Sequence, residues 1–292
     1  NSLNQQLLAI GGFRFSRPED VDVNPADSTE VVFCSTGRGQ LFPADNWGTT
    51  YVFDFDDAAL EAKLNLPLDQ INDIPCTLKI VFAGDDAGGG QFAHPDFGIR
   101  SPDNCEWGED GFVYINEDKS TSPGSLFGSV SGAEASVWKL DPATGAAERI
   151  LEMDRSAIPF GQFDPSPNDK GNWESSGVID VTKYFDAGKG ETVLIMDTQA
   201  HSLKSNAGIG LSRLFAQNLD LVEGGQLFIA SNEAAPLGCP ADLDCSGGID
   251  GADLAVLLGA WGAANSLADL NTDGTVDAAD LALLLGAWGS CS

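Results

Sequence analysis

The chain has 292 residues, 44 of them acidic and 15 basic, giving a net charge of −29 and a pI near 4.1. That length allows one large domain and one small one. The charge excludes nucleic acid and acidic membrane surfaces as partners, because both require a basic face. No apolar run approaches the 18 or more residues of a membrane-spanning helix, so no direct membrane insertion is expected.

From Leu7 to about Ser231 the sequence is a series of short β-branched or aromatic runs separated by Gly, Pro, Asn and Asp. Strands are expected at Val21–Val23, Val31–Cys34, Thr50–Phe55, Leu78–Phe82, Cys105–Trp107 and Phe112–Ile115. Further strands are expected at Ser136–Leu140, Glu148–Met153, Val178–Val181, Val193–Met196 and Leu227–Ala230. Turn signals such as Glu109-Asp110-Gly111 and Asp141-Pro142-Ala143-Thr144-Gly145 lie between them, and Ala58–Leu66 is the one helical insert. Such a pattern means an all-β sandwich, barrel or propeller. A weak repeat favours the propeller: Arg17-Pro18-Glu19-Asp20 and Ser101-Pro102-Asp103-Asn104 lie 84 residues apart, and each leads into a strand, a turn and a second strand. About a dozen strands make only three blades, and closed rings usually have four to eight. Either more strands are present than this count finds, or the expected β-propeller domain, 1–232, is incomplete, with three or more blades in this sequence. In the second case an upstream segment or another copy of the chain would complete it, and an open strand edge offers a route to assembly.

After a linker at 233–240, residues 241–292 hold two copies of a twelve-residue loop, 27 residues apart. In the first, Asp242, Asp244, Ser246, Asp250 and Asp253 occupy positions 1, 3, 5, 9 and 12; in the second these are Asp269, Asn271, Asp273, Asp277 and Asp280. Gly247 and Gly274 stand at position 6, where an EF-hand-type loop turns sharply, and Gly248 and Thr275 at position 7 would add a backbone carbonyl. From Cys239 to Ser292 all eight acidic residues fall on ligand positions, with no Lys, Arg or Glu. Two Ca2+ ions are expected here, bound with coupling to folding because the clustered carboxylates repel one another without metal.

These loops end in Asp rather than Glu, and each is followed by one short helix, at Asp253-Leu254-Ala255-Val256-Leu257-Leu258-Gly259-Ala260-Trp261-Gly262 and Asp280-Leu281-Ala282-Leu283-Leu284-Leu285-Gly286-Ala287-Trp288-Gly289. The segment resembles a dockerin module. That resemblance implies a small all-α unit that docks to a cohesin-like domain. The pair that reads the partner is often Ser-Thr in such modules and is Gly251-Ala252 and Ala278-Ala279 here. Trp261 and Trp288 either close the core, the favoured role, or face a partner.

A second resemblance covers about 210 residues. Phe15-Ser16-Arg17-Pro18-Glu19-Asp20, Ser101-Pro102-Asp103-Asn104, Trp173-Glu174-Ser175-Ser176-Gly177-Val178, Asp197-Thr198-Gln199-Ala200-His201 and Leu221-Val222-Glu223-Gly224-Gly225-Gln226-Leu227 are similar, in order, to segments of the C-terminal part of PhoX-type alkaline phosphatases. That family implies a propeller holding calcium and iron and hydrolysing phosphate monoesters. The resemblance makes Arg17 the phosphate-gripping residue and Glu19 a metal-bridging carboxylate, with Asp103 and Asn104 on the calcium side. Glu117, Asp118 and His201 are weaker candidates at the same end. The family's iron-binding Cys and further Glu ligands come from an N-terminal half that this sequence does not contain, so Fe3+ is expected only if the site is completed elsewhere.

The six cysteines allow fifteen pairings. Cys239 and Cys291 bracket the two loops and are the expected bridge, with Cys34, Cys76 or Cys105 as buried thiols. With no initial Met and no basic-then-apolar leader, the sequence reads as a processed, secreted extracellular protein. The expected function is calcium-dependent attachment or self-assembly. The alternative is a Ca/Fe-dependent phosphomonoesterase completed by an upstream segment or a partner chain.

Overall fold

A computed structural model of the chain describes residues 5–6, 9–37, 45–67, 70–71, 73–118, 127–158, 162–185, 191–205, 223–231, 241–243, 248–263, 268–271 and 273–290. Contacts divide it into two units, Asn1–Ser231 and Asn232–Ser292. The expected linker at 233–240 lies outside the described residues.

The larger unit is mostly β. Strands β1 (Pro18–Val23), β2 (Glu30–Ser35), β3 (Thr49–Phe55) and β4 (Cys76–Ala83) form an antiparallel meander. Helix α1 (Asp57–Lys63) separates β3 from β4. It begins where the Asp56 carboxylate accepts from Ala59 N at 2.8 Å, and it ends three residues before the expected Leu66. A second meander follows: β5 (Pro102–Trp107), β6 (Val113–Glu117), β7 (Ser136–Leu140) and β8 (Ala147–Glu152). After the two-residue β9 (Gln162–Phe163) come β10 (Glu174–Asp180), β11 (Val193–His201), β12 (Lys204–Ser205) and β13 (Glu223–Ser231). The third sheet has the order β10-β11-β13, and β9 pairs with β12. Each of the eleven expected strand segments overlaps a strand of these three sheets, with Phe112, Met153 and Val181 lying just beyond the strand ends.

Alternation of side chains fixes how the sheets pack. Every residue of β6 is buried: Val113 and Ile115 enter the junction with the first sheet, and Tyr114 enters the junction with the third. The outward faces are apolar too. In the first sheet two cross-strand rows, Val21-Phe33-Tyr51-Ile80 and Val23-Val31-Phe53-Leu78, share one face, and Phe15 lies against Phe33 and Tyr51 with ring centroids 4.6 and 5.2 Å away. In the third sheet the row Ile179-Ile195-Ile229 and Leu227 form the outward face.

Oxygen-bearing side chains link the first strand of each sheet to the first strand of the next. Asp20 accepts from Cys105 N at 3.1 Å and Asp22 from Trp107 N at 2.7 Å. In the corresponding positions of β5, Asn104 accepts from Gly177 N at 3.0 Å and Glu106 from Asp180 N at 2.9 Å. Those N–H groups lie on strand edges and would otherwise lack a protein acceptor.

The deepest polar feature is a closed ion network. Arg100 donates from its backbone N and Nε to Glu117 Oε1 (2.9 and 3.1 Å), from Nη2 to Glu117 Oε2 (2.7 Å), and from Nη1 to Asp96 Oδ1 (3.2 Å). Glu117 also accepts from Ser136 N and Trp138 Nε1, and Asp96 from the N–H groups of Gly128, Val130 and Ser131. All three side chains are fully buried. Burial opposes the Arg100 charge, but Glu117 and Asp96 outweigh it and raise the pKa. Glu117 is thus a structural counterion, which corrects its reading as a site residue.

In the smaller unit, helices α2 (Gly251–Gly259) and α3 (Ala278–Gly286) each begin with a capping box: Asp250 with Asp253, and Asp277 with Asp280. The short strands β14 (Gly248–Ile249) and β15 (Gly289–Ser290) pair. In the matching place Gly262 N donates to Val276 O at 2.8 Å and Val276 N to Ala263 O at 3.0 Å. Each loop is therefore tied to the segment following the other helix. Gly262 (φ 79°) and Gly289 (φ 129°) make the required turn in a backbone region that glycine adopts without strain.

Removing one partner of a buried ion pair leaves an uncompensated charge and costs about 3–5 kcal/mol. Glu117→Ala is therefore expected to destabilise the larger unit by about that amount in urea unfolding followed by circular dichroism. A loss below about 1 kcal/mol would show that the network is not what holds the loops against the second sheet.

Candidate functional site

Two left-handed residues start the site. Arg17 (φ 59°) and Ser101 (φ 43°), 84 residues apart, each precede the first strand of a sheet. Such backbone costs energy outside glycine and persists where neighbours over-determine it. Here Thr36 N donates to Arg17 O at 3.0 Å, while Gly37 N and Ser35 Oγ donate to Ser16 O at 2.9 and 2.6 Å. Ser101 N donates to Trp47 O, and Ser101 O receives Asp118 N at 3.0 Å.

Asp118 is thereby brought beside Arg17, whose Nη2 lies 2.8 Å from Asp118 Oδ2 and 3.0 Å from Glu19 Oε1. The Arg17 and Glu19 side chains keep 39% and 33% of their exposure, so solvent and solutes reach the pair. Asp103, opposite them on β5, senses the charges of Asp118, Glu19, Glu174 and Arg17. At the same end, His201 Nε2 lies 3.3 Å from Glu174 Oε1, both side chains being largely buried. Glu19 and Asp118 thus share one guanidinium, with Asp103 in reach of its charge. Burial first, then the charges of Asp118, Glu19 and Glu174, push the Asp103 carboxyl up to about 7, with Arg17 opposing. Burial and the charges of Asp22, Asp180 and Asp20 likewise lift Glu106 to about 7, against its hydrogen bond from Asp180 N.

The structure gathers Arg17, Glu19, Asp103, Asp118 and His201. It turns Asn104 away, because its Oδ1 accepts from Ser176 Oγ at 2.9 Å and from Gly177 N. Glu174 joins Asp103 and His201 without having been a candidate from sequence; the signal for it was an acid at the start of a strand, as Asp103 is in Pro102-Asp103. The acidic, Gly-rich loop Asp85-Asp86-Ala87-Gly88-Gly89-Gly90 is held by hydrogen bonds: Asp85 accepts from Trp47 N at 3.0 Å, and Asp86 from Gly89 N at 2.7 Å. Cys34 and Cys105 are buried thiols, whereas Cys76 is exposed; the expected Cys239–Cys291 bridge lies outside the described residues.

In the smaller unit the second loop is wrapped around its own side chains. Asp269 accepts from Asp273 N and Gly274 N at 3.2 and 2.8 Å, Asn271 Oδ1 from Asp273 N at 2.9 Å, and Asp273 Oδ1 from Thr275 N at 3.1 Å. Asp280 accepts from Asn271 N (3.1 Å) and Asp277 N (2.7 Å), and those bonds hold its carboxyl below the usual range. In the first loop Asp253 plays the same part, accepting from Leu243 N and Asp250 N at 2.7 and 2.8 Å. Asp244 and Ser246 lie outside the described residues, while Asp242 and Gly248 lie within them. Among the described residues, no three carboxylate, imidazole or thiol groups form a preformed metal cage, in either unit. Trp261 and Trp288 are each 48% exposed, which corrects their expected core position.

No family model matches the chain, and no curated protein sequence matches it. Among solved structures the chain is similar to Pseudomonas fluorescens PhoX in complex with vanadate, a transition state analogue, at 16% identity and a TM-score of 0.43. The match covers 77% of this chain and 35% of that one, so the chain spans about a third of that protein.

A carboxyl raised to about 7 favours the fold most when protonated. Below its ordinary pKa of about 4 the contribution is fully present, and it is lost as pH rises through about 7. Asp103→Asn is expected to flatten the fall in stability between pH 4 and pH 7 and to leave the protein more stable than wild type at pH 8. Urea midpoints across that range check it; an equal loss at every pH would contradict the burial-driven shift.

Proposed function

We propose that the chain is a calcium-dependent docking and assembly protein, in which the smaller unit binds one Ca2+ per loop and presents a docking face. One observation carries this reading: the 27-residue repeat orders a core and a surface together. The core pairs Ala241 with Ala268, Ile249 with Val276, and Leu257 with Leu284. The surface pairs Val256 with Leu283, Leu258 with Leu285, and Trp261 with Trp288, each close to half exposed. Surface apolar residues repeated in register mark an interaction face. A cohesin-like domain or another copy of the chain is the partner class that this reading names. The loops supply hard oxygen donors of the type calcium selects, held by Asp242, Asp244, Ser246, Asp250, Asp253, Asp269, Asn271, Asp273, Asp277 and Asp280. When bound, the ion would neutralise carboxylates that otherwise repel.

The larger unit, on this reading, is three successive blades of a propeller. Its support is the chain of first strands linked by Asp20, Asp22, Asn104 and Glu106, together with the apolar outward faces that the first and third sheets offer to further blades. An extracellular setting goes with the calcium dependence.

Calorimetry is expected to find two calcium ions per chain, and Asp269→Ala one. At a free calcium concentration 100 times the dissociation constant, each ion adds about 2.7 kcal/mol to stability. If a chelator leaves the thermal transition of the smaller unit unmoved, calcium has no part in its folding.

A second reading, phosphomonoester hydrolysis, is favoured by Arg17, a half-exposed guanidinium fixed by its backbone beside a carboxyl that titrates near neutrality. Arg17 would exchange a carboxylate partner for two phosphate oxygens, which its planar fork matches. Asp103 could hold or release a proton beside it. Glu19, Asp103, Asp118 and Glu174 are calcium-type donors, yet Arg17 bonds both Glu19 and Asp118, so no step is routed through a metal. Cys34 and Cys105 are enclosed in the apolar junction and supply no iron ligand to this cluster. If the reading holds, Arg17→Ala lowers phosphomonoester turnover about 10²–10³-fold, the scale of losing one oxyanion donor. Wild-type protein with no turnover in added calcium and iron would remove it.

A further inference from the structure

The larger unit seals its second sheet on both sides and leaves the outer faces of the first and third sheets open. One apolar cluster, around Val32, Val113 and Trp138, closes the first junction, and another, around Tyr114, Val178 and Met196, closes the second. The outer faces are made of the same residue types but stay exposed. On the first sheet Val21 and Ile80 are 57% and 59% exposed, with Val23 and Leu78 in the next row. On the third, Leu227 and Ile229 are 72% and 56% exposed, beside Ile179. Contiguous exposed apolar faces of this kind mark interaction sites.

Three observations select a second copy of the chain as the occupant. The first is continuity. The tie from Asp20 and Asp22 to β5 is repeated from Asn104 and Glu106 to β10, so the sheets succeed one another by a like step, and the next sheet would lie on the outer face of the third. The second is count. Closed propellers hold about four to eight sheets. One copy supplies three, two copies six, and three copies nine, so only the pair fits. The third is area. With about 4.8 Å between strands and about 3.3 Å per residue, each outer face covers on the order of 300–400 Å2. One contact between a first-sheet face and a third-sheet face then buries on the order of 700 Å2, the scale of a casual crystal contact. A closed pair makes that contact twice and reaches about 1,400 Å2, the size of a stable interface.

We propose that two copies of the chain close head to tail into one six-sheet ring, the outer face of each copy's first sheet packing on the outer face of the other copy's third sheet. The proposal rests on the reading of the larger unit as three blades and names the occupant of its open faces. Each copy spans half a turn, so the ring has a two-fold axis and its two junctions are the same heterologous contact. Closure leaves no outer face free for open-ended growth. The first strands β1, β5 and β10 are the ones tied to one another and therefore line the axis, and the Arg17 clusters of both copies share one end of it.

The test is sedimentation equilibrium of the full chain, in calcium and in chelator, with hydrogen exchange read by mass spectrometry on the same samples. The expected species is twice 30.6 kDa in both conditions, because the calcium loops take no part in the ring. Ile80→Glu on the first sheet and Ile229→Glu on the third are each expected to give a folded monomer and to raise the dissociation constant at least about 100-fold, since either charge is buried unpaired in both junctions. Leu227→Glu, on the same face, replaces Ile229→Glu if that variant loses its circular dichroism spectrum. The amides of Cys105, Trp107, Gly177 and Asp180, held by the sheet-to-sheet ties, report on the three-blade reading separately. If they are protected while the wild type sediments as a monomer, the blades stand, the ring falls, and the open faces belong to a different chain. If they exchange as fast as in unfolded protein, the blade reading itself falls and takes the ring with it. A dimer that survives either charge, a dimer lost with the calcium, or a species that keeps growing with concentration would each overturn the ring.

Discussion

Strand edges carry backbone N–H groups that must find acceptors, and in this protein side-chain oxygens of the neighbouring sheet supply them. Asp20 and Asp22 serve β5, and Asn104 and Glu106 serve β10. Everything else in the larger unit follows from that register. It sets β1 beside β5 and β5 beside β10, which lets β6 present one face to each junction. It also fixes where Arg17 and Ser101 must turn, so that Asp118 arrives next to the guanidinium. The Arg100 network closes the loops behind the second sheet, where nearly every donor has a charged or carbonyl partner.

Much of the fold was legible in sequence because strands announce themselves by β-branched runs between turn residues. The assignment of acids was not. Pro18-Glu19-Asp20 and Pro102-Asp103-Asn104 look alike as signatures, yet within each the neighbouring residues do different work. Glu19 and Asp103 enter the cluster, whereas Asp20 and Asn104 tie sheets together. Bulges between Pro18 and Val21, and between Pro102 and Cys105, decide which residue faces which way. A bulge inserts one residue without a composition signal. Glu117 and Asp118 illustrate the same limit: adjacent acids, one sealed under Arg100 and the other reaching Arg17.

In the smaller unit the repeat was legible in full, but its division of labour was not. Asp250, Asp253, Asp277 and Asp280 are explained by helix capping alone, since each accepts backbone N–H groups at a helix start. A Leu-rich helix also does not say which of its apolar residues are covered. Leu257 and Leu284 are fully buried while their neighbours Leu258 and Leu285 are about half exposed. Only the turn of the helix separates core from face.

Capping and calcium binding are compatible demands on the same carboxylates. An ionised carboxylate has roughly four lone-pair sites, and Asp280 commits two of them to Asn271 N and Asp277 N. Those bonds favour its ionised form, which is the form a cation requires. They also fix its orientation before any ion arrives, so less freedom is lost on binding. In the second loop Asp269 and Asp273 accept backbone N–H groups of the loop itself, and a cation or a proton would relieve the repulsion between them. In the larger unit Arg17 stands beside Glu19 and Asp118, and burial with the neighbouring carboxylate charges raises the Asp103 carboxyl to about 7. With 44 acids against 15 bases, the chain balances charge locally and differently in each unit: by proton and guanidinium in one, and by a divalent ion in the proposed state of the other.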